Sequence, residues 1–275
     1  MAKITDSGYS LLHIIATEAL RPLITGTTEP YLIRGVDESS HQHGDFVIKP
    51  MAFPRMSAIS SMRELLASFI AMQLEINIPE PALVNITDEF AELLLGRTHY
   101  QSMKASVGIA FGSRMIDPDG YRTWLNDETL PTILEEQALE IFIFDMFIQN
   151  VDRGGIKEKP NLLTNGEDIY VIDHELAFSY IMAVGLGNND PWLFTDMDRS
   201  MIENHLFFPY LRGQDFPFSN IFQRFTTLDR QFWQRAEELI PDEWLDANFN
   251  KISNRSLTVV NNIQNFETEI RRILL

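Results

Sequence analysis

Apolar positions along the chain follow two rhythms. Short β-rich runs at Tyr31–Val36, Phe46–Lys49, Ala82–Ile86 and Val107–Ile116 are bounded by Gly, Pro or acidic residues, and each predicts a strand. Helical spacing governs Ser60 to Leu74, where Leu65, Leu66, Phe69, Ile70 and Met72 share a face and Ser60 or Ser61 is available as N-cap. Leu11–Leu20, stopped by Pro22, is also read as a helix, and Thr87–Leu95 as a short one. Asp117-Pro118-Asp119-Gly120 is a strong turn signal. After Glu136 the segment Pro131–Asn150 is apolar almost all round, which predicts a buried central helix. A short strand, Ile169–Ile172, follows. Beyond Phe178 the chain is helical and aromatic, with one or two helices in Thr227–Ala247 and an amphipathic helix over Leu257–Leu275. The order predicts an α+β chain: a small β-rich part over 1–116 and a mainly helical part over 117–275.

Composition narrows the chemistry. Apolar residues at 45% and charged residues at 22% describe an ordinary globular chain. A net charge of −17 argues against direct nucleic-acid binding, which needs a basic face, and is compatible with metal cations or a basic protein partner. With no cysteine, disulfides and thiolate zinc sites are excluded. The N-terminal stretch lacks a signal-peptide pattern, and the longest apolar run, Ile141–Ile148, is broken by Asp145 and too short for a bilayer. A cytoplasmic protein with no membrane contact is expected.

The most informative stretch runs from Asp145 to Phe178. A polar loop after the central helix carries Asn150, Asp152, Arg153 and Asn161, and the following strand delivers Asp173. Each alone reads equally well as a turn residue. The ordered set suits phosphoryl transfer, in which a carboxylate orients the nucleophile while an Asp and an Asn hold Mg²⁺. Upstream, Lys49 closes a strand and Glu64 opens a helix. Singly they read as a snorkelling lysine and a helix-dipole acid, and together as an ion pair that would aim the lysine at a nucleotide. The polar loop Asp37–Gly44 between the first two strands sits where a phosphate-covering loop belongs, and Ser39 and Ser40 within it are candidates for autophosphorylation.

These segments resemble the HipA-like kinase family over about Arg21 to Trp244. The resemblance is carried by FVIKP at 46–50, RELLASFIAMQLEINIPEPALV at 63–84, FIQNVDRGGIKEKPNLL at 147–163, YVIDHELAF at 170–178 and IPDEWL at 240–245. A more distant similarity is to the phosphatidylinositol 3/4-kinase-like fold. The resemblance implies a two-lobed protein-kinase-like fold that uses ATP and Mg²⁺. It places Lys49, Glu64, Gly35, Gly44 and Met115 at the nucleotide, Asp152 at the acceptor hydroxyl, Arg153 near the γ-phosphate, and Asn161 and Asp173 on the metal. The sequence departs from the usual pattern in two places. Asn161 follows Asp152 by nine residues, where a kinase loop reads D-x-x-x-x-N; the extra residues within Gly154–Lys159 are expected to bulge outward. Glu175 stands where a kinase Asp-Phe-Gly turn has glycine. A kinase acting on Ser/Thr of an unknown protein and a nucleotide-binding pseudokinase both follow from this reading.

Overall fold

The computed structural model describes residues 2–23, 29–51, 56–117, 119–125, 127–154, 160–182 and 190–275. Its N-terminal part is a five-stranded closed barrel in the order β1 (Leu12–Pro22), β2 (Tyr31–Asp37), β3 (His43–Lys49), β5 (Gly108–Arg114), β4 (Pro81–Ile86). Helix α1 (Ala58–Gln73) lies between β3 and β4, and the short helices α2 (Asp88–Glu92) and α3 (Tyr100–Lys104) between β4 and β5. Leu11–Leu20, read above as a helix, is strand β1. Its burial alternates, with Ile14 and Ala16 inside and His13, Ile15 and Thr17 outside. Parallel pairing with β4, from Leu12↔Ala82 to Ile15↔Asn85, and antiparallel pairing with β2 supply partners that override local helix propensity.

The strand register decides which loop can face a nucleotide. Tyr31 pairs with Ile48 and Val36 with His43, so the Asp37–Gly44 turn lies at the barrel end opposite Lys49. Gly44 precedes Lys49 by five residues on β3, about 17 Å of extended strand. Gly35 and Gly44, expected at the nucleotide, are therefore barrel residues paired with each other. A Cβ on Gly35 would collide with Ile14, and one on Gly44 would press on Arg114 and the Phe46 ring. Ser39 and Ser40 are likewise removed from the phosphate position. Both hydroxyls donate to Asp37 Oδ2, at 2.8 and 2.5 Å, closing the turn. The Ser40 hydroxyl and backbone amide are among the hydrogen bonds that hold the Asp37 carboxyl well below its usual range. At the Lys49 end stand the flanks of the β1–β2 connection, where Leu23 N–H donates to Pro30 O at 2.9 Å. The sequence between them, Ile24-Thr-Gly-Thr-Thr28, lies outside the described residues.

Helix α1 is capped by Ser57, whose hydroxyl accepts from Ser60 N–H, one turn earlier than expected. It is buried from Ser61 to Gln73, which explains the apolar stretch Leu65–Met72, interrupted only by Ser68. A small second sheet, β6 (Arg122–Thr123), β7 (Leu162–Thr164) and β8 (Ile169–Val171), adjoins α4 (Glu135–Ile148), the buried central helix. The rest is α5 (Arg199–Glu203), α6 (Phe208–Leu211), α7 (Ser219–Phe225), α8 (Arg230–Leu239), α9 (Ala247–Asn261) and α10 (Ile263–Leu274). The aromatic segments enter the core: Phe207, Phe208, Phe218 and Phe222 are buried, and Phe147 packs edge-on against Phe225 and Phe266. The expected single C-terminal helix is two, because Asn262 leaves helical geometry and its side chain bonds back to Thr258 O. Among the described residues no helix is long and apolar enough to cross a membrane.

Candidate active site

Helix α4 ends on Gln149 in a left-handed conformation, φ 45°, and Asn150 N–H reaches back to Asp145 O. This cap turns the chain sharply into the loop that carries Asp152 and Arg153. The β7–β8 hairpin then supplies the other half of the site. Leu162 pairs with Val171, and Ile172 N–H donates to Asn161 O at 3.0 Å, so Asn161 and Asp173 flank the open end of the hairpin. Both are left-handed, at φ 56° and 62°. Asn and Asp tolerate this region better than other side chains, and an outlier of this kind costs on the order of 1 kcal/mol. Asn161 Nδ2 donates to Asp152 Oδ2 at 3.2 Å, tying the loop to the hairpin.

Above them, Lys49 Nζ is bonded to Glu64 Oε1 and lies 2.5 Å from Asp173 Oδ1 and 4.0 Å from Glu175 Oε2. Burial by itself would drive the ammonium toward neutrality; Asp173, Glu64 and Glu175 outweigh it and keep Lys49 strongly protonated. Burial raises Glu64, against the pull of Lys49. For Asp173 the balance falls the other way, with Lys49 overcoming burial and holding the carboxyl down. Glu64 Oε2 also accepts from His174 N–H, at 3.0 Å. Glu64, Asp173 and Glu175 each have a carboxylate oxygen within 4.8 Å of the others. Glu175 is thus part of the site, although at the level of sequence it registered only as a departure from a turn glycine. An acid two residues after Asp173 was the signal.

Burial pushes the Glu175 carboxyl up to about 7, and the charges of Asp173, Glu64 and Asp152 add to it while Lys49 opposes. A folded chain that holds this proton is stabilised by it below about pH 4.5, and loses that stability as pH rises through about 7. Glu175→Gln should melt with the wild type near pH 5 and gain on it toward pH 8. With allowance for the water that still reaches this group, the gain is on the order of 2 kcal/mol. Thermal melts across that range test this, and parallel curves for the two proteins would refute it.

Arg153, expected near the γ-phosphate, points the other way. Its side chain is fully buried: Nε donates to Asp145 Oδ2 at 2.8 Å, Nη1 to the carbonyls of Asn161 and Ile172, and Nη2 contacts His174 Nε2 at 2.9 Å. A guanidinium so committed is a brace inside the loop, not a ligand for phosphate. Burial, with the Arg153 charge, lowers His174 to about 3, so the ring is neutral, and because Arg only donates, Nε2 is its acceptor.

A cavity of about 360 Å³ opens beside Lys49, walled by Val47, Phe111, Met115, Leu163 and Ile172, with Lys49, Glu64 and Asp173 also in its lining. That volume, with mostly apolar walls and a few charged groups, is within the range of small-molecule sites. Met115 N–H is already donated to Asp45 O at 2.8 Å, so this residue can offer the cavity only its side chain and carbonyl. A more open hollow of about 600 Å³, near Arg199, Arg212 and Arg272, contains none of these groups. The extra loop residues 155–159, expected to bulge outward, lie outside the described residues.

A β-rich N-terminal part, a helical C-terminal part and a lysine–carboxylate cluster at the cavity between them define a kinase-like protein. The HipA-like kinase profile matches residues 16–272, and the chain belongs to that family. No curated protein matches it. Among solved structures it is similar to a complex of Neurospora crassa PAN2 (WD40-CS1) with PAN3 (pseudokinase and C-term), at 13% identity and TM-score 0.29, covering 97% of this chain and 67% of that one. A Neurospora crassa PAN3 pseudokinase mutant is similar at 10% identity and TM-score 0.30, covering 98% and 58%. The MAP kinase LmaMPK10 from Leishmania major is similar at 14% identity and TM-score 0.27, covering 92% and 81%.

Proposed function

We propose that this chain is an ATP- and Mg²⁺-dependent kinase that transfers the γ-phosphate to a hydroxyl, of the Ser/Thr type on a protein. The observation that carries this is the convergence of Lys49, Glu64 and Asp173 at the cavity, with Asp152 and Asn161 hydrogen-bonded alongside. The donor atoms available to a cation are carboxylate oxygens and an amide oxygen, the hard ligands that suit Mg²⁺. Asn161 and Asp173 would hold that ion, which when bound neutralises charge on the phosphates. Lys49 exchanges Asp173 for phosphate oxygens while Glu64 keeps it aimed. Asp152 orients the acceptor hydroxyl and takes its proton as oxygen attacks the γ-phosphorus and the bond to the β-bridging oxygen breaks, releasing ADP. The division between the two lobes falls at residues 116 and 117, beside the cavity wall. The kinase acts in the cytoplasm on a protein acceptor; its net charge of −17 would suit a basic protein partner, and neither nucleic acid nor membrane takes part.

A pseudokinase that binds nucleotide as a regulatory module is favoured by one observation, the third carboxylate that Glu175 adds where phosphates would lie. Incubating the purified protein with γ-labelled ATP and Mg²⁺, with and without cell extract, separates the two. Label on protein that disappears in EDTA supports the kinase, and bound nucleotide without label transfer supports the pseudokinase.

A further inference from the structure

We propose that Arg153 is a positioning residue that, held by Asp145, sets the turns at Asn161 and Asp173 relative to each other and thereby controls metal affinity. The proposal rests on the metal-dependent reading above and concerns a different part of the molecule, the buried side of the site. One Arg153 nitrogen, Nη1, lies 2.5 Å from the carbonyl of Asn161 and 3.1 Å from that of Ile172. These are the peptide groups adjoining the two left-handed residues, Asn161 and Asp173. Their orientation decides where the Asn161 and Asp173 side chains point. A single planar fork thus spans both hairpin ends, which a lysine, as a point charge on a flexible stem, cannot do while also facing Asp145.

The fork is itself fixed from behind. Asp145 is fully buried, and burial alone would raise its pKa; the Arg153 charge and the His205 hydrogen bond overcome this and hold it ionised. It takes Nε of Arg153 at 2.8 Å and Nη2 at 3.3 Å, and Asn150 Nδ2 at 2.9 Å. His205 Nε2 lies 3.1 Å away and is the donor, because Nδ1 of the same ring accepts from Phe207 N–H. The backbone is pinned too: Leu206 N–H donates to Arg153 O at 2.9 Å, and at Gly154, φ 121°, a Cβ would come within 2.8 Å of Leu206. Neither Arg153 nor Asp145 lines the cavity, yet the pair bears on both residues assigned to the cation. Partners of that kind set affinity through geometry.

If the cluster served stability alone, its loss would lower the melting temperature and leave folded protein with unchanged metal affinity. The test measures Mn²⁺ binding by electron paramagnetic resonance in the presence of ADP, alongside ADP binding in EDTA, below each variant's melting point. Arg153→Lys should weaken Mn²⁺ by about 10–100-fold while metal-free ADP binding stays at the wild-type level. Should that variant not fold, Asp145→Asn combined with Arg153→Gln keeps a neutral hydrogen-bonded pair that is too short to reach the carbonyls, and the same loss is expected. Trp233→Phe, packed against Phe232 and Phe249 away from α4 and the Arg153 contacts, is the stability control and should leave Mn²⁺ affinity intact. Wild-type affinity in either brace variant overturns the proposal. Wild-type protein that binds ADP yet takes up no Mn²⁺ when the ion is supplied would instead defeat the metal-dependent reading, and the proposal with it.

Discussion

Asp152→Asn should leave nucleotide binding nearly intact and reduce phosphotransfer by about 10²–10⁴-fold, the usual range for loss of a general base. The substitution conserves size, and the new amide oxygen can still accept from Asn161 Nδ2, now bonded to Asp152 Oδ2 at 3.2 Å. What disappears is the negative charge that receives the hydroxyl proton. The loop should keep its shape, because its anchors are backbone groups and the buried Arg153–Asp145 pair. Nucleotide affinity and label transfer, measured on the same preparation, decide the matter. Equal transfer by variant and wild type would remove Asp152 from the mechanism.

Asp173→Asn should abolish the Mg²⁺-dependent part of nucleotide stabilisation. A ligand at a hundredfold excess over its Kd stabilises the native state by about 2.7 kcal/mol. For a chain of this size that corresponds to roughly 5–10 °C in melting temperature. Asparagine accepts the left-handed backbone at this position, φ 62°, as readily as aspartate does. Lys49 retains Glu64 as partner, so the ligand-free protein should stay folded. The comparison is between melting shifts with nucleotide plus Mg²⁺ and with nucleotide plus EDTA. A variant that keeps the wild-type difference would show that the metal is held elsewhere.

Several of these features were legible as local patterns. The run from Ser60 to Leu74 is apolar because α1 is buried nearly all round, and the even apolarity of Ile141–Ile148 likewise marks the interior position of α4. The polar letters Asp152, Asn161 and Asp173 stood out because each adjoins an apolar segment: Asp152 and Asp173 come just after one, and Asn161 just before Leu162-Leu163. The Leu11–Leu20 segment was not legible, because its alternation is short and its leucines, alanines and glutamate suit a helix equally well. Nor was the direction of Arg153, since an arginine beside a loop aspartate reads the same whether it faces phosphate or a buried carboxylate. Asp145, which settles that direction, looked only like an interruption of an apolar run.

The sequence by itself determined the elements with strong periodicity and the order of the chemistry-bearing residues, since both follow from the spacing of side chains along one strand or helix. Only the tertiary structure decided which loop lies near Lys49, because that depends on strand register: pairing Tyr31 with Ile48 sends the Asp37–Gly44 turn to the far end of the barrel. It also decided that β1 closes the barrel by pairing in parallel with β4. Contacts between residues far apart in the chain, such as Lys49 with Asp173 or Arg153 with Ile172, come from packing, and no local preference encodes them.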